Sequence, residues 1–174
     1  MYCKICIKFF YNINIRYHNV YIILLFVMEV NEQEHIIRKL TPADYDKYLI
    51  MINEFRKTFY TYEQFIDTLN YINHFSEIWV IEKDNDIIAT GTILYEKKFI
   101  HDNCTLAHIE DICVKEKYRK SGIGKIIVTH LMQLSKKNKC YKVTLDCSES
   151  NSGFYTKCGM EKVGLQMSQL TSKY

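Results

Sequence analysis

The 174-residue sequence has one proline, four arginines beside nineteen lysines, and no acidic residue before Glu29. No proline-rich linker or low-complexity segment divides it. The charge is unevenly placed. The formal net charge is +3, and Lys4, Lys8 and Arg16 stand unopposed in residues 1–28. Of 23 basic residues those three lie in the tail, which leaves 20 against 20 acidic residues in 29–174. A neutral body excludes a broad nucleic-acid-binding protein, which needs a basic face. Long apolar runs are missing too. The longest, residues 20–28, has nine residues, and a bilayer takes about 20. Seven cysteines, an odd number without regular spacing, fit reduced thiols better than a disulfide framework. Cys3 and Cys6 form a lone C-x-x-C with no second pair, His cluster or βαβ context, so no zinc or redox role is read there.

What is present is ordinary for one folded domain: 48% hydrophobic and 25% charged residues. The aromatic, apolar and basic residues 1–28 resemble a signal-peptide core behind a basic region. Glu29-Val30-Asn31 supplies no small-x-small cleavage site. An uncleaved signal or interfacial anchor, an organelle-targeting extension, and a start upstream of a true initiator at Met28 all fit. We read residues 1–28 as an extension outside the fold, and 29–174 as the domain, in the cytoplasm.

Within that domain, residues 36–40 read as a strand. Thr41-Pro42 reads as a helix start, with Tyr45, Leu49, Ile52 and Phe55 at helical spacing. Residues 61–75 give a second helix with Phe65, Leu69 and Ile72 on one face. Strands follow at 77–83, 87–96 and 106–114, the first two joined by an Asp84-Asn85-Asp86 turn. The last, LAHIEDICV, alternates only partly and reads as central or bulged. Residues 122–136 form the clearest helix, lined by Ile123, Ile126, Ile127, Leu131 and Leu134. A strand at 140–147, a helix at 150–158 stopped by Gly159, and a final strand at 160–170 complete the order. The sum is β-α-α-β-β-β-α-β-α-β, a mixed α/β (α+β) sheet in a single domain.

Arg119-Lys120-Ser121-Gly122-Ile123-Gly124 lies between a strand and the start of that clearest helix. Glycines there let the backbone turn, and free N–H groups at a helix N-terminus face an anion. Arg119, Lys120 and Lys125 add charge, so the segment suits a pyrophosphate. By itself R-x-x-G-x-G is also ordinary turn punctuation. Position 127 is Ile, so the dinucleotide fingerprint G-x-G-x-x-G is missing, as is the P-loop pattern.

With the order of elements over residues 36–170, this loop is similar to the acetyl-CoA pyrophosphate loop of the GNAT acyltransferase superfamily. Three further segments resemble the glucosamine 6-phosphate N-acetyltransferases within it. They are IATGT at 88–92 through Lys98-Phe99-Ile100-His101, then His108-Ile109-Glu110-Asp111, then CYKVTLDC at 140–147 with Asn151 and Phe154-Tyr155. The resemblance implies an enzyme that moves the acetyl group of acetyl-CoA to the amine of glucosamine 6-phosphate by direct attack in a ternary complex. It implies no metal, and a homodimer with the C-terminal strand in the pairing.

By the same resemblance, Tyr155 is the acid that protonates the departing CoA sulfur, Asp146 orients the sugar amine, and Glu110 is a possible base. A regular strand would throw Glu110 and Asp111 to opposite faces. Thr58, Lys98, Phe99, Ile100, His101, Glu110, Asp111, Ile112, Tyr141 and Lys142 are the substrate-side candidates. Ile112, Cys113, Val114, Arg119, Lys120, Ser121, Gly122, Ile123, Gly124, Lys125, Asn151, Tyr155 and Lys157 are the coenzyme-side candidates. Against these roles stand plainer ones: a core aromatic for Tyr155, and solvated surface charges for Lys98 and Lys142. The family's C-terminal phosphate-binding Arg has no match near Leu170, leaving Lys173 or Arg56 to replace it. Other readings stay open: a GNAT acting on a protein N-terminus or a polyamine, or a catalytically silent CoA-binding module. His74 and His130 are read as incidental.

Overall fold

The computed structural model describes residues 35–171. The extension 1–28, the Cys3/Cys6 pair and Lys173 fall outside them.

Chain entry is set by one buried carboxylate. Strand β1 (Ile36–Lys39) leads to Thr41 and a 3-10 turn, Pro42–Asp44, before helix α1 (Tyr45–Phe55). Asp44 is 3% exposed. It accepts Arg38 Nη1 and Nη2 at 2.7 Å each, Thr41 N at 2.8 Å and Thr41 Oγ1 at 2.7 Å. Burial alone would raise its carboxyl pKa. The bonds from Arg38 and Thr41 overcome burial and hold it at about 2. Helix α2 (Tyr62–Ile72) starts at a capping box: Gln64 N donates to Thr61 Oγ1 and Thr61 N donates to Gln64 Oε1.

The sheet runs β1-β2-β3-β4-β5, with β2 (Ser76–Lys83), β3 (Asp86–Lys97), β4 (Thr105–Val114) and β5 (Lys142–Thr144). Neighbours are antiparallel except β4 and β5, which are parallel. A parallel pair needs a crossover, and helix α4 (Ile123–Lys137) supplies it. Before β4, one turn α3 (Ile100–Asn103) holds His101, Asp102 and Asn103 at positive φ. Helix α5 (Glu149–Lys157) follows β5.

Alternation along β2 sorts the core. Ile78 and Val80 pack with Tyr48, Met51, Phe65 and Leu69 of α1 and α2. Ile81 packs with Ile123, Ile127 and Val128 of α4 on the other side. Burying each large aliphatic contributes roughly 1.5–3 kcal/mol.

Four expectations are corrected. The buried residues of α1 are Tyr48 and Met51, while Phe55 is 53% exposed. Tyr45 and Ile52 of the expected stripe do pack against that core, so the apolar face runs from them to Tyr48 and Met51, and of that stripe Phe55 alone, at the helix end, is exposed. Helix α2 stops at Ile72, as Asn73 turns the chain into β2. Strand β5 has three residues rather than eight, because β4 offers it only Leu106, Ala107 and His108 as partners. Residues 160–170 form no strand. Val163, Leu165 and Met167 still alternate and are 85–91% exposed, but among the described residues no strand pairs with them. A strand exists by pairing, so pattern alone does not make one.

Candidate active site

The site is assembled around an irregularity in β4. Thr90 pairs with Cys113 and Thr92 with Glu110, so only Gly91 on β3 faces Asp111 and Ile112 together. Asp111 has φ +51. This is a β-bulge, as partial alternation suggested. Gly91 leaves room there: a Cβ would lie 2.5 Å from Ile112 Cδ1 and 2.9 Å from Leu131 Cδ1, so the ends of both side chains would have to shift. The bulge also corrects the sequence argument at Glu110 and Asp111. Alternation breaks between them, and both are exposed.

Beyond the bulge, β4 leads to the R-x-x-G-x-G loop. Arg119 Nε donates to Val114 O at 3.1 Å and Ser121 Oγ to Tyr118 O at 2.6 Å, which tie the loop back to the strand end. Lys120 and Gly122 have φ of +62 and +92. Gly122 is the N-cap of α4, and no side chain caps that end. A Cβ on Gly122 would meet nothing within 4 Å, so the space before the helix is open. Uncapped N–H groups, an open approach and three nearby cations fit a pyrophosphate. Gly124 has a different reason: a Cβ there would lie 3.2 Å from Phe154 Cζ, so α5 packs directly on the first turn of α4. Ile123 and Cys113 are buried, and Arg119, Lys120 and Lys125 are exposed.

Helix α5 ends in a Schellman motif. Gly159 N donates to Thr156 O at 2.9 Å and Met160 N to Tyr155 O at 3.1 Å. Tyr155 therefore sits on the last turn, half-buried, with its ring 4.9 Å from that of Phe154. Burial, then the neighbouring Cys147, Cys158 and Glu110, push its phenol up from the ordinary value of 10.0. A phenol so placed keeps its proton to give. Asn151 and Lys157 lie on the exposed side of the same helix.

A cleft of about 730 Å³ opens beside Tyr155, lined by His108, Thr144, Asp146, Cys147 and residues of 159–166. Asp146 Oδ2 accepts from Gln166 Nε2 at 2.8 Å. Glu110 is close enough to feel both Asp111 and Asp146. Partial shielding from solvent, then those two charges, raise its pKa, and His108 opposes them. Three carboxylates and a phenol thus converge on one end of β4 and β5.

The remaining candidates meet in part. The His101 and Tyr141 rings lie 4.9 Å apart, and Lys142 Nζ is 5.5 Å from the Tyr141 centroid. The 98–101 and 141–142 segments therefore form one patch, with Phe99 wholly exposed and Ile100 63% exposed. Lys98 is paired with Glu96, so it is not a free cation. Thr58 is exposed in the α1–α2 connection, its N–H donating to Asn53 Oδ1 at 3.1 Å. Leu170 is 86% exposed, and Arg56 is exposed at the end of α1. Sequence reasoning missed Glu96 and Thr144 as partners of His108. The only signal was the position of His108 two residues before Glu110. His130 packs against Trp79, ring centroids 4.3 Å apart. The five cysteines among the described residues are free.

A bulged strand, a helix N-terminus without a side-chain cap and a half-buried phenol beside carboxylates fit an acyltransferase. The chain belongs to the acetyltransferase (GNAT) family, whose model matches residues 43–160. It is similar to glucosamine 6-phosphate N-acetyltransferase 1 of Dictyostelium discoideum, 39% identical over 137 residues, 75% of this chain and 87% of that protein. It is 35% identical to glucosamine 6-phosphate N-acetyltransferase of Candida albicans, over 78% of this chain and 95% of that one. The crystal structure of glucosamine-6-phosphate N-acetyltransferase from Arabidopsis thaliana superposes with TM-score 0.74 at 36% identity. It covers 80% of this chain and 99% of that one.

Proposed function

We propose that the chain transfers the acetyl group of acetyl-CoA to the amine of glucosamine 6-phosphate, giving N-acetylglucosamine 6-phosphate and CoA. The carrying observation is the convergence at the β4 bulge. An uncapped helix N-terminus for a pyrophosphate lies on one side, and on the other a cleft lined by Asp146 and Tyr155, with Glu110 near enough to act on both. The relatives named above favour this acceptor over a peptide or polyamine, and the product serves UDP-N-acetylglucosamine synthesis.

The chemistry is attack by a neutral amine on a thioester. Backbone N–H groups of Ile112, Cys113 and Val114 hold the pantetheine arm and polarise the carbonyl. Asp146 orients the amine. Glu110, its pKa raised, accepts a proton more readily than an ordinary surface carboxylate. Tyr155 gives its proton to the thiolate. His101, Tyr141 and Lys142 bind the sugar phosphate, with charge-assisted bonds to its oxygens. No metal takes part. The exposed, alternating Val163, Leu165 and Met167 beside the short edge strand β5 support pairing with a second copy, hence a homodimer.

The test is thiol release by the purified chain with acetyl-CoA and, in parallel, glucosamine 6-phosphate, spermidine or an N-terminal peptide. Turnover with the sugar phosphate alone is expected. Turnover only with the other amines overturns the acceptor, and acetyl-CoA binding without turnover favours a silent module. Light-scattering mass at twice 20.8 kDa is expected for the dimer.

A further inference from the structure

His108 is held at both ring nitrogens and has no part in the chemistry above. It lines the cleft with Thr144, Asp146 and Tyr155. Its Nε2 lies 3.0 Å from Glu96 Oε2 and its Nδ1 lies 3.3 Å from Thr144 Oγ1. The sheet sets both contacts. Thr144 is the register partner of His108 on β5. On β3 the partner is Leu94, and Glu96 stands two residues along on the same face. Glu96 is ionised, since bonds from Lys98 and then His108 hold its carboxyl below the usual range. An ionised carboxylate only accepts, so the hydrogen of the neutral ring is on Nε2. Nδ1 is then the acceptor, and the Thr144 hydroxyl donates to it. Carboxylate, imidazole and hydroxyl stand in a row that ends in the cleft.

We propose that His108, oriented by Glu96, receives through Thr144 the proton that the acceptor's ammonium must shed before it can attack, which leaves to Glu110 the second proton, lost by the nitrogen after attack. The inference rests on the function proposed above. In the step, one N–H bond of the ammonium breaks and its electron pair becomes the nucleophile. Thr144 takes that proton and passes its own to Nδ1, and the imidazolium so formed faces Glu96. Neither oxidant nor reductant is needed. The groups around the ring are Glu96 from β3 and Lys98 just after it, Glu110 on β4, Thr144 and Asp146 from β5 and the loop after it, and Tyr155 from α5. His108 acts as a positioning and proton-holding residue, because it reaches the amine only through Thr144.

The experiment measures kcat and KM from pH 6 to 9 for the wild type, His108→Gln and Glu96→Gln, with thermal unfolding alongside. For His108→Gln we expect kcat at pH 7 to fall about tenfold, less than the roughly 10²–10⁴-fold of a general acid or base that touches the reacting group. The deficit should shrink as pH rises and more amine arrives unprotonated, with KM for acetyl-CoA unchanged. Glu96→Gln takes from the ring the carboxylate that orients it, so kcat should fall in that variant too, and by less than in His108→Gln. A deficit in His108→Gln that is equal at every pH, full activity in that variant, or unchanged kcat in folded Glu96→Gln overturns the inference. A wild type inactive toward the sugar phosphate overturns the function itself, and this inference with it.

Discussion

The two halves of the proposed site, one for the coenzyme and one for the acceptor, are built from different materials. The coenzyme half is mostly backbone: a bulged strand, a loop with Lys120 and Gly122 at positive φ, and a helix end without a side-chain cap. Its anchors, Ile123, Ile127 and Val128, are buried under the sheet. The acceptor half is mostly exposed side chains on short connections: His101 in a left-handed turn, Tyr141 and Lys142 at the edge strand, and Asp146 after it. A part common to all acyl-CoA users can be fixed in the backbone, whereas the part that chooses an amine varies by side chain. Substitution should therefore hurt the two halves differently.

Tyr155→Phe should have the largest effect, because Tyr155 touches both halves. We expect kcat to fall by about 10²–10⁴-fold, the range for a general acid, with acetyl-CoA affinity within about threefold. Steady-state rates and calorimetric binding check this, and unchanged turnover removes Tyr155 from the role. The wild-type pH profile adds a sign. The phenol pKa lies above 10.0, so the loss of rate caused by its deprotonation begins only above the ordinary phenol range.

Gly122→Val should break the coenzyme half alone. Its φ of +92 suits glycine, and a β-branched residue there costs roughly 1–3 kcal/mol. If the loop relaxes to relieve this, the N–H groups of α4 turn away from the pyrophosphate. KM for acetyl-CoA should rise about tenfold or more while KM for the sugar phosphate stays within about twofold. Equal rises in both would dissolve the distinction.

Lys142→Ala should touch only the acceptor half, and less. Lys142 is exposed, and an exposed ion pair contributes about 0–1 kcal/mol. KM for the sugar phosphate should rise up to about fivefold and should rise further in salt for the wild type than for the variant.

The same division explains what could be read from the sequence. Gly122 and Gly124 are visible because the first turns at positive φ and the second lies close against Phe154, and the helix after them shows its period in Ile123, Ile127 and Leu131. Lys98, His101 and Tyr141 have no such signature. They came from a family resemblance, and the pairing of Lys98 with Glu96 could not be foreseen from their spacing. Glu96, His108 and Thr144 lie on three strands, so only register brings them together. The stretch at 160–170 shows the opposite failure. Its strand pattern is real, but among the described residues no strand pairs with it, although β5 leaves one edge of the sheet open.

The smallest effect on turnover is expected at the carboxylate with the strongest bonds. Asp44 lies outside both halves, with its four bonds to Arg38 and Thr41 fixing where β1 ends and α1 begins. Its folded pKa of about 2 lies below the ordinary 3.8. A depressed carboxylate pKa contributes stability that is present above the unfolded value and is lost as pH falls through the folded one. At about 1.4 kcal/mol per pH unit, that is about 2 kcal/mol, lost between roughly pH 4 and pH 2. Asp44→Asn should therefore lower the unfolding free energy by about 2 kcal/mol at neutral pH and flatten its acid dependence, as denaturant titration at several pH values would show. Turnover per folded molecule should stay within about twofold. A large loss of kcat in folded Asp44→Asn would mean that the entrance to α1 belongs to the acceptor half, and the boundary between scaffold and site would have to be redrawn through Arg38.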